Sequence, residues 1–181
     1  MESSSNTVPK VHLIELTQNS PRETTAAARE LLLEYGRFVL DHADPAQFCF
    51  GNLEKEAAAL PASYIDQGGG CVAAFLDETP AGFVAWRTLR PTVAPDAWEM
   101  KRLWVRPIAR GHALGRVLTI AILDRARAAR RSAVYLDTIP AAMSKAHRLY
   151  LELGFLPCAP YNNNPISGVT HLRIELGSPN Q

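Results

Sequence analysis

The stretch that most constrains this chain runs from Trp98 to Leu118, WEMKRLWVRPIARGHALGRVL. Trp98 to Val105 is rich in β-branched and aromatic residues, Pro107 ends it, and apolar residues at helical spacing begin just past Gly115. The reading is a strand that delivers a basic, glycine-bearing turn into the start of a helix. Such a turn suits an anion, because the first N–H groups of a helix have no intrahelical partner and lie at the positive end of its dipole. Arg110 and Arg116 add charge, while Gly111 and Gly115 let backbone approach a ligand closely.

The rest of the chain supplies elements for this unit to pack against. Val11 to Leu16 reads as a short strand, and Pro21-Arg22-Glu23 opens a helix over Thr24 to about Leu40, whose apolar residues recur at intervals of three and four. Asp44-Pro45 breaks the chain, and Asn52 is expected to cap a second helix that Pro61 ends. Cys71–Leu76 and Ala81–Leu89 form a hairpin, with Trp98 opening a third neighbouring strand. A helix from about Gly115 to Arg130, a strand Ala133–Thr138, a helix Met143–Leu153 closed by Gly154, an extended stretch from Phe155 and a last strand His171–Leu176 complete it. Strands run together early and alternate with helices later, which implies an α/β (α+β) fold with a mixed sheet. One domain over residues 11–177 after a flexible tail, residues 1–10, is the expected organisation. The Ala159–Thr170 loop, with NNNP in it, is long enough to be read as functional.

Composition narrows the function. A net charge of +1 over 181 residues argues against a general nucleic-acid binder. Three cysteines without CxxC or His spacing predict reduced thiols and no metal site. No apolar run approaches the roughly 20 residues needed to cross a bilayer, and the N-terminus lacks a signal core. A soluble cytoplasmic protein, monomer or homodimer, without membrane or nucleic-acid partners is expected. There is no GxxxxGK[ST], and the GxxxG at Gly111–Gly115 lacks both the third glycine and the distant acid of a dinucleotide site.

Arg110 to Gly115, RGHALG, reached through a strand ending LWVRP, resembles the acetyl-CoA pyrophosphate loop of the GNAT (GCN5-related N-acetyltransferase) superfamily. Ala146 to Phe155, AHRLYLELGF, is similar to that family's A-x-x-L-Y-x-x-x-G-F helix. Two residues depart from the pattern: Ala113 takes the place of the first loop glycine, and Met143 that of an Asn often found three residues before Ala146. Tyr161–Gly168, YNNNPISG, resembles a subgroup's Y-x-x-N-P-x-x-G segment. The resemblance implies a GNAT acyltransferase fold, with about six to seven strands flanked by about four helices. It further implies acetyl-CoA as co-substrate, no metal, and a small-molecule or peptide amine as acceptor.

In the direct transfer so implied, an amine attacks the thioester carbonyl and a CoA thiolate departs. An amine of pKa about 10.4 is neutral in only about one molecule in 2,500 at pH 7, a deficit of about 4.6 kcal/mol, so its deprotonation needs help. Glu99 matches the family's general-base position, with pairing to Lys101 as its structural alternative; Asp137 and His147 rank behind it. A backbone N–H of Leu103, Trp104 or Val105 would stabilise the oxyanion. Tyr150 matches the family's proton donor to the leaving sulfur, against a purely core role. Cofactor contacts are expected from Leu103, Trp104, Val105 and the run Arg110, Gly111, His112, Ala113, Leu114, Gly115 and Arg116. The departures at Ala113 and Met143 leave a second reading open, an acyl-CoA-binding regulatory module without catalysis. Acceptor contacts are assigned to the Tyr35–Asn52 region and the Tyr161–Gly168 loop; Phe48, Phe50, Trp86 and Tyr161 are read first as plain core and second as apolar lining, and Glu34, Asp41 and Asp44 first as a solvated helix face and second as amine ligands.

Overall fold

The computed structural model describes residues 9–42, 44, 47, 50–90, 92–94 and 96–177, Phe50 by its backbone alone. The expectations for the N-terminal tail, for Pro45 and for Phe48 and the Phe50 side chain lie outside these residues. In chain order the elements are β1 (Val11–Glu15), α1 (Arg22–Leu40), α2 (Phe50–Ala58), α3 (Ala62–Ile65), β2 (Gly70–Leu76), β3 (Thr79–Thr88) and β4 (Ala97–Val105). They continue with a 3₁₀ turn (Pro107–Ala109), α4 (Leu114–Ala128), β5 (Ala133–Thr138), α5 (Ser144–Glu152), β6 (Leu156–Pro157) and β7 (Thr170–Glu175). The strands form one sheet in the order β1-β2-β3-β4-β5-β7-β6. Every neighbouring pair is antiparallel except β4 and β5, which run parallel.

Both faces of the sheet are buried, and the period-2 alternation of strand side chains sorts them. Val72, Val84, Trp86, Trp98, Met100 and Leu136 pack under α4 and α5, where Leu114, Leu118, Ile122, Tyr150 and Phe155 complete one core. Their neighbours Cys71, Ala73, Phe83 and Ala85 face the other way, onto Leu31 and Leu32 of α1 and Leu53 of α2. The apolar stripe read on α1 is the seam of that second core.

Two local expectations shift. α2 begins at Phe50, so Asn52 lies inside its first turn rather than capping it. Pro61, read as a stop, is the N-cap of the short α3: a residue with fixed φ and no N–H ends one helix and suits the entry to the next. Among the described residues no helix is long and apolar enough to cross a membrane.

The sheet opens where it matters. β4 and β5 pair only over Ala97–Glu99 and Ala133–Tyr135. Beyond that point β5 follows β7 to its end at Thr138, and β4 follows β3. β4 also carries a bulge, since Phe83 pairs with Trp104 while Ala85 pairs with Lys101, setting Arg102 and Leu103 against one residue of β3. Arg102 takes the left-handed conformation there, φ 60°. A non-glycine residue resists that conformation, and here Glu56 holds it with two hydrogen bonds of 3.1 and 3.0 Å from the guanidinium.

Candidate active site

The pyrophosphate-like loop has the backbone of an anion cradle. Gly111 has φ 96° and Ala113 φ 53°, and α4 starts from Ala113 with no side-chain cap. The first intrahelical bond at this end runs from the Val117 N–H to the Ala113 carbonyl, 3.0 Å, so the amides of Leu114, Gly115 and Arg116 are left to a ligand. A Cβ on Gly115 would come within 3.3 Å of the Leu149 side chain, so the bare backbone keeps α4 close to α5. Arg110 lies over the Trp104 ring at 5.9 Å from its centroid. His112 folds back with Nδ1 3.3 Å from the Ala109 carbonyl, and Arg116 pairs with Glu152 of α5. Ala113 in the left-handed region carries strain that glycine would not, so Ala113→Gly is expected to raise the unfolding free energy by about 0.5–1 kcal/mol in urea titration, and a loss of stability would contradict this.

A cavity of about 450 Å³ runs from this loop into the cleft between β4 and α5. Leu103, Trp104, Val105, Arg110, Gly111, Ala113, Leu114 and Gly115 all line it; His112 and Arg116 do not. A second cavity, about 720 Å³, lies on the far side of the opened strands, between the α1–α2 region and the Tyr161–Val169 loop. Tyr35 and Met143 line both, so they mark the junction. The second cavity is polar, with Arg87, Arg90, Lys101, Asn52 and Asp137 in its wall. Of the residues read as apolar lining or plain core, Trp86 packs in the core on Trp98, whereas Tyr161 lines this cavity and donates its hydroxyl to Glu99, so its contribution is polar as well as aromatic. Glu34 is taken by Arg106 and the Trp104 indole N–H and lines neither cavity.

Glu99 has no exposed surface. Its Oε2 accepts from Arg87 Nε at 2.6 Å, and its Oε1 from Lys101 Nζ, Tyr161 Oη and Asn162 Nδ2, each at 3.2 Å. Burial alone would raise its pKa, but Lys101 and Arg87 hold it below the usual carboxylate range. Burial in turn lowers the pKa of Lys101 despite its partner. Asp137, on the exit end of β5, behaves like Glu99: burial is outweighed by Lys101 and by hydrogen bonds from Asn164 and Asn162, and its pKa is lowered. Tyr150 is 5 % exposed and lines neither cavity, with its ring edge-on to Phe155. Its hydroxyl makes no hydrogen bond to any described residue. Burial, then the nearby Tyr35 and Asp137, keep it protonated well past its ordinary range.

Two cavities of different chemistry thus meet where β4 and β5 part, and comparison with known proteins shows the family. The model of the acetyltransferase (GNAT) family matches residues 26–155. The chain belongs to the GNAT acetyltransferase family. An uncharacterized N-acetyltransferase of Schizosaccharomyces pombe is 39% identical over 98 residues, 54% of this chain and 58% of that protein. An IAA acetyltransferase of Azospirillum brasilense is 43% identical over 74 residues, 38% of this chain and 46% of its own length. The matches thus span about half of these relatives. The GNAT fold itself recurs in a Staphylococcus aureus acetyltransferase of the family, with TM-score 0.70 at 16% identity over 93% of this chain and 100% of that one. It also recurs in a Salmonella typhimurium protein described as an acetyltransferase and solved with its cofactor acetyl-CoA, TM-score 0.63, 15% identity, 94% and 96% covered.

The GNAT motifs legible in the sequence line the smaller cavity. What sequence reasoning missed is the side-chain network beneath the larger one, in which Asn162 touches both Glu99 and Asp137. Its only advance signal was the unassigned NNNP loop.

Proposed function

We propose that this protein transfers the acetyl group of acetyl-CoA directly to a primary amine of a small molecule or peptide, as one domain over residues 11–177. One observation carries the reading: two cavities of different chemistry meet at Tyr35 and Met143, where β4 and β5 part. When bound, acetyl-CoA supplies an acyl carbon attached to a good leaving sulfur. The uncapped amides of Leu114, Gly115 and Arg116 suit its pyrophosphate, with Arg110 adding charge and Gly111, His112 and Ala113 shaping the turn. Past Glu99 the edge of β4 that faced β5 has no strand partner, while its other edge stays paired to β3, so the Leu103, Trp104 and Val105 stretch can turn a main-chain N–H toward the carbonyl oxygen. Support for the catalytic reading over a silent binding module comes from Tyr150, a protonated phenol with no hydrogen bond among the described residues and within electrostatic reach of Tyr35, which lines both cavities.

In this scheme the acceptor's ammonium loses one proton to solvent through the open cavity before attack. The amine then forms the N–C bond as the C–S bond breaks, loses a second proton, and the departing sulfur takes the phenol proton of Tyr150, which solvent restores. Glu99, fully enclosed by its partners, acts by holding Arg87, Lys101 and the Tyr161 loop in place rather than by touching the amine. Both carboxylates are ionised well below neutral pH, so the acceptor alone sets the acid limb. Acceptor-dependent CoA release should therefore rise about tenfold per pH unit between pH 6 and the acceptor's own pKa. A carboxylate-like inflection above pH 6, or release that is indifferent to added amine, would contradict the scheme.

A further inference from the structure

The acceptor cavity contains a single acid. Among the described residues Asp137 is the only carboxylate that lines either cavity, and unlike Glu34, Glu56 and Glu99 it makes no ion pair. Its Oδ2 is fixed by the Asn162 and Asn164 side-chain amides, both at 2.9 Å, while its Oδ1 has no hydrogen bond within the described chain. The loop that supplies those amides braces itself: the Asn164 N–H donates to Asn162 Oδ1, the Ile166 N–H to Asn164 Oδ1, and His171 Nε2 lies 3.1 Å from Asn162 Oδ1. Gln47 ties the same loop to the α1–α2 region through two hydrogen bonds with Ser167. The Tyr161–Ile166 segment is thus a bracket that pins one oxygen of Asp137 and leaves the other to the cavity. Asp137 also acts electrostatically on the phenol of Tyr35, which lines both cavities.

The other charges define the far end of the ligand. Arg87, Arg90, Lys101 and Arg102 line the cavity. Glu99 answers Arg87 and Lys101, and Glu56 answers Arg102, but exposed Arg90 has no acidic partner among the described residues. Counting Glu99 and Glu56, which pair with these cations from outside the lining, together with Asp137, the described residues give four cations against three carboxylates, a surplus of one positive charge assigned to Arg90. A simple alkylammonium would satisfy Asp137 and deepen that surplus; a molecule that carries a carboxylate as well cancels it.

We propose that the acceptor is an amphoteric primary amine, its nitrogen held on the free oxygen of Asp137 and its carboxylate directed to Arg90. Asn162 and Asn164 are positioning residues acting through Asp137. The proposal rests on the acetyltransferase reading above. Held this way, the amine presents N–H to Asp137 and its lone pair toward the junction.

The test uses the full chain, acetyl-CoA and amine pairs differing only by a carboxylate: lysine and cadaverine, phenylalanine and phenethylamine, 4-aminobutyrate and propylamine. Wild type should favour the carboxylate-bearing member, and Arg90→Gln should remove about fivefold of its kcat/KM without affecting its twin. Asp137→Asn should cut kcat/KM for every acceptor used by about 10- to 150-fold, mostly through acceptor KM, with acetyl-CoA affinity and Tm unchanged. Asn164→Ala should weaken acceptor use in wild type and add nothing in the Asp137→Asn background, a coupling that a merely structural role would not produce. Wild-type acetylation of the panel with Asp137→Asn equally active, a parallel loss of acetyl-CoA binding, or a preference for the decarboxylated twins would each overturn the proposal alone. A wild type inert toward every amine would overturn the acetyltransferase reading and this proposal with it.

Discussion

Replacing Tyr150 with Phe is expected to lower kcat about 100-fold while acetyl-CoA affinity stays within about twofold, because the change removes one proton and almost nothing else. The ring keeps its edge-on contact with Phe155, 5.8 Å between centroids. The lost hydroxyl has no partner among the described residues, so thermal stability should be unaffected. Burial in the α4–α5 core holds the phenol protonated across the working pH range, which suits a donor. The measurement is steady-state CoA release beside acetyl-CoA binding by calorimetry. Full activity in the variant would remove Tyr150 from the mechanism; loss of acetyl-CoA binding would make it a packing residue.

The second large effect is on stability. Glu99→Ala should lower the unfolding free energy by about 3–5 kcal/mol, with a Tm drop of about 6–20 °C. The reason is the asymmetry of buried ion pairs: the carboxylate has 0% exposure and serves Arg87 at 34% and Lys101 at 16% side-chain exposure, so its removal strands one cation in the interior and another beside it. The donors Tyr161 Oη and Asn162 Nδ2 lose an acceptor at the same time. Since the folded-state pKa of Glu99 is depressed, its contribution is complete above the ordinary carboxylate range, about 4.3, and is lost as pH falls through the lower folded value. Wild type should therefore show an acid-dependent decline below about pH 4 that is smaller in Glu99→Ala. Equal stability of the two proteins at pH 7 would show that the cluster contributes nothing to the fold.

The sequence made the local parts of this architecture legible and left the distant ones hidden, and the reason is physical. The Trp98–Leu118 unit announces itself through strand composition, a stopping proline and a glycine-bearing turn, all properties of adjacent residues. AHRLYLELGF does the same for α5. The opening of β4 from β5 carries no such signature: the bulge sits on Arg102, where glycine or asparagine would have flagged a left-handed residue, and is held by Glu56 from another element. Pro61 is ambiguous by nature, ending α2 and starting α3. The acid network spans sequence separations of 25 and 63 residues, from Asn162 back to Asp137 and Glu99, so no local pattern could rank Asp137 above Glu99. The sequence placed Glu99 on the right strand and left open whether it met solvent, substrate or Lys101; the fold encloses it.

Two ligands should meet at one junction, and a crystal structure with acetyl-CoA and lysine, in a Tyr150→Phe variant slowed enough to hold both, tests that most directly. The predicted result has the pyrophosphate on the amides of Leu114, Gly115 and Arg116, the thioester beside Leu103–Val105, and the acceptor nitrogen hydrogen-bonded to Asp137 on the other side of Tyr35 and Met143. Acetyl-CoA bound with its thioester outside the β4–β5 opening, or an acceptor lodged away from Asp137, would contradict it.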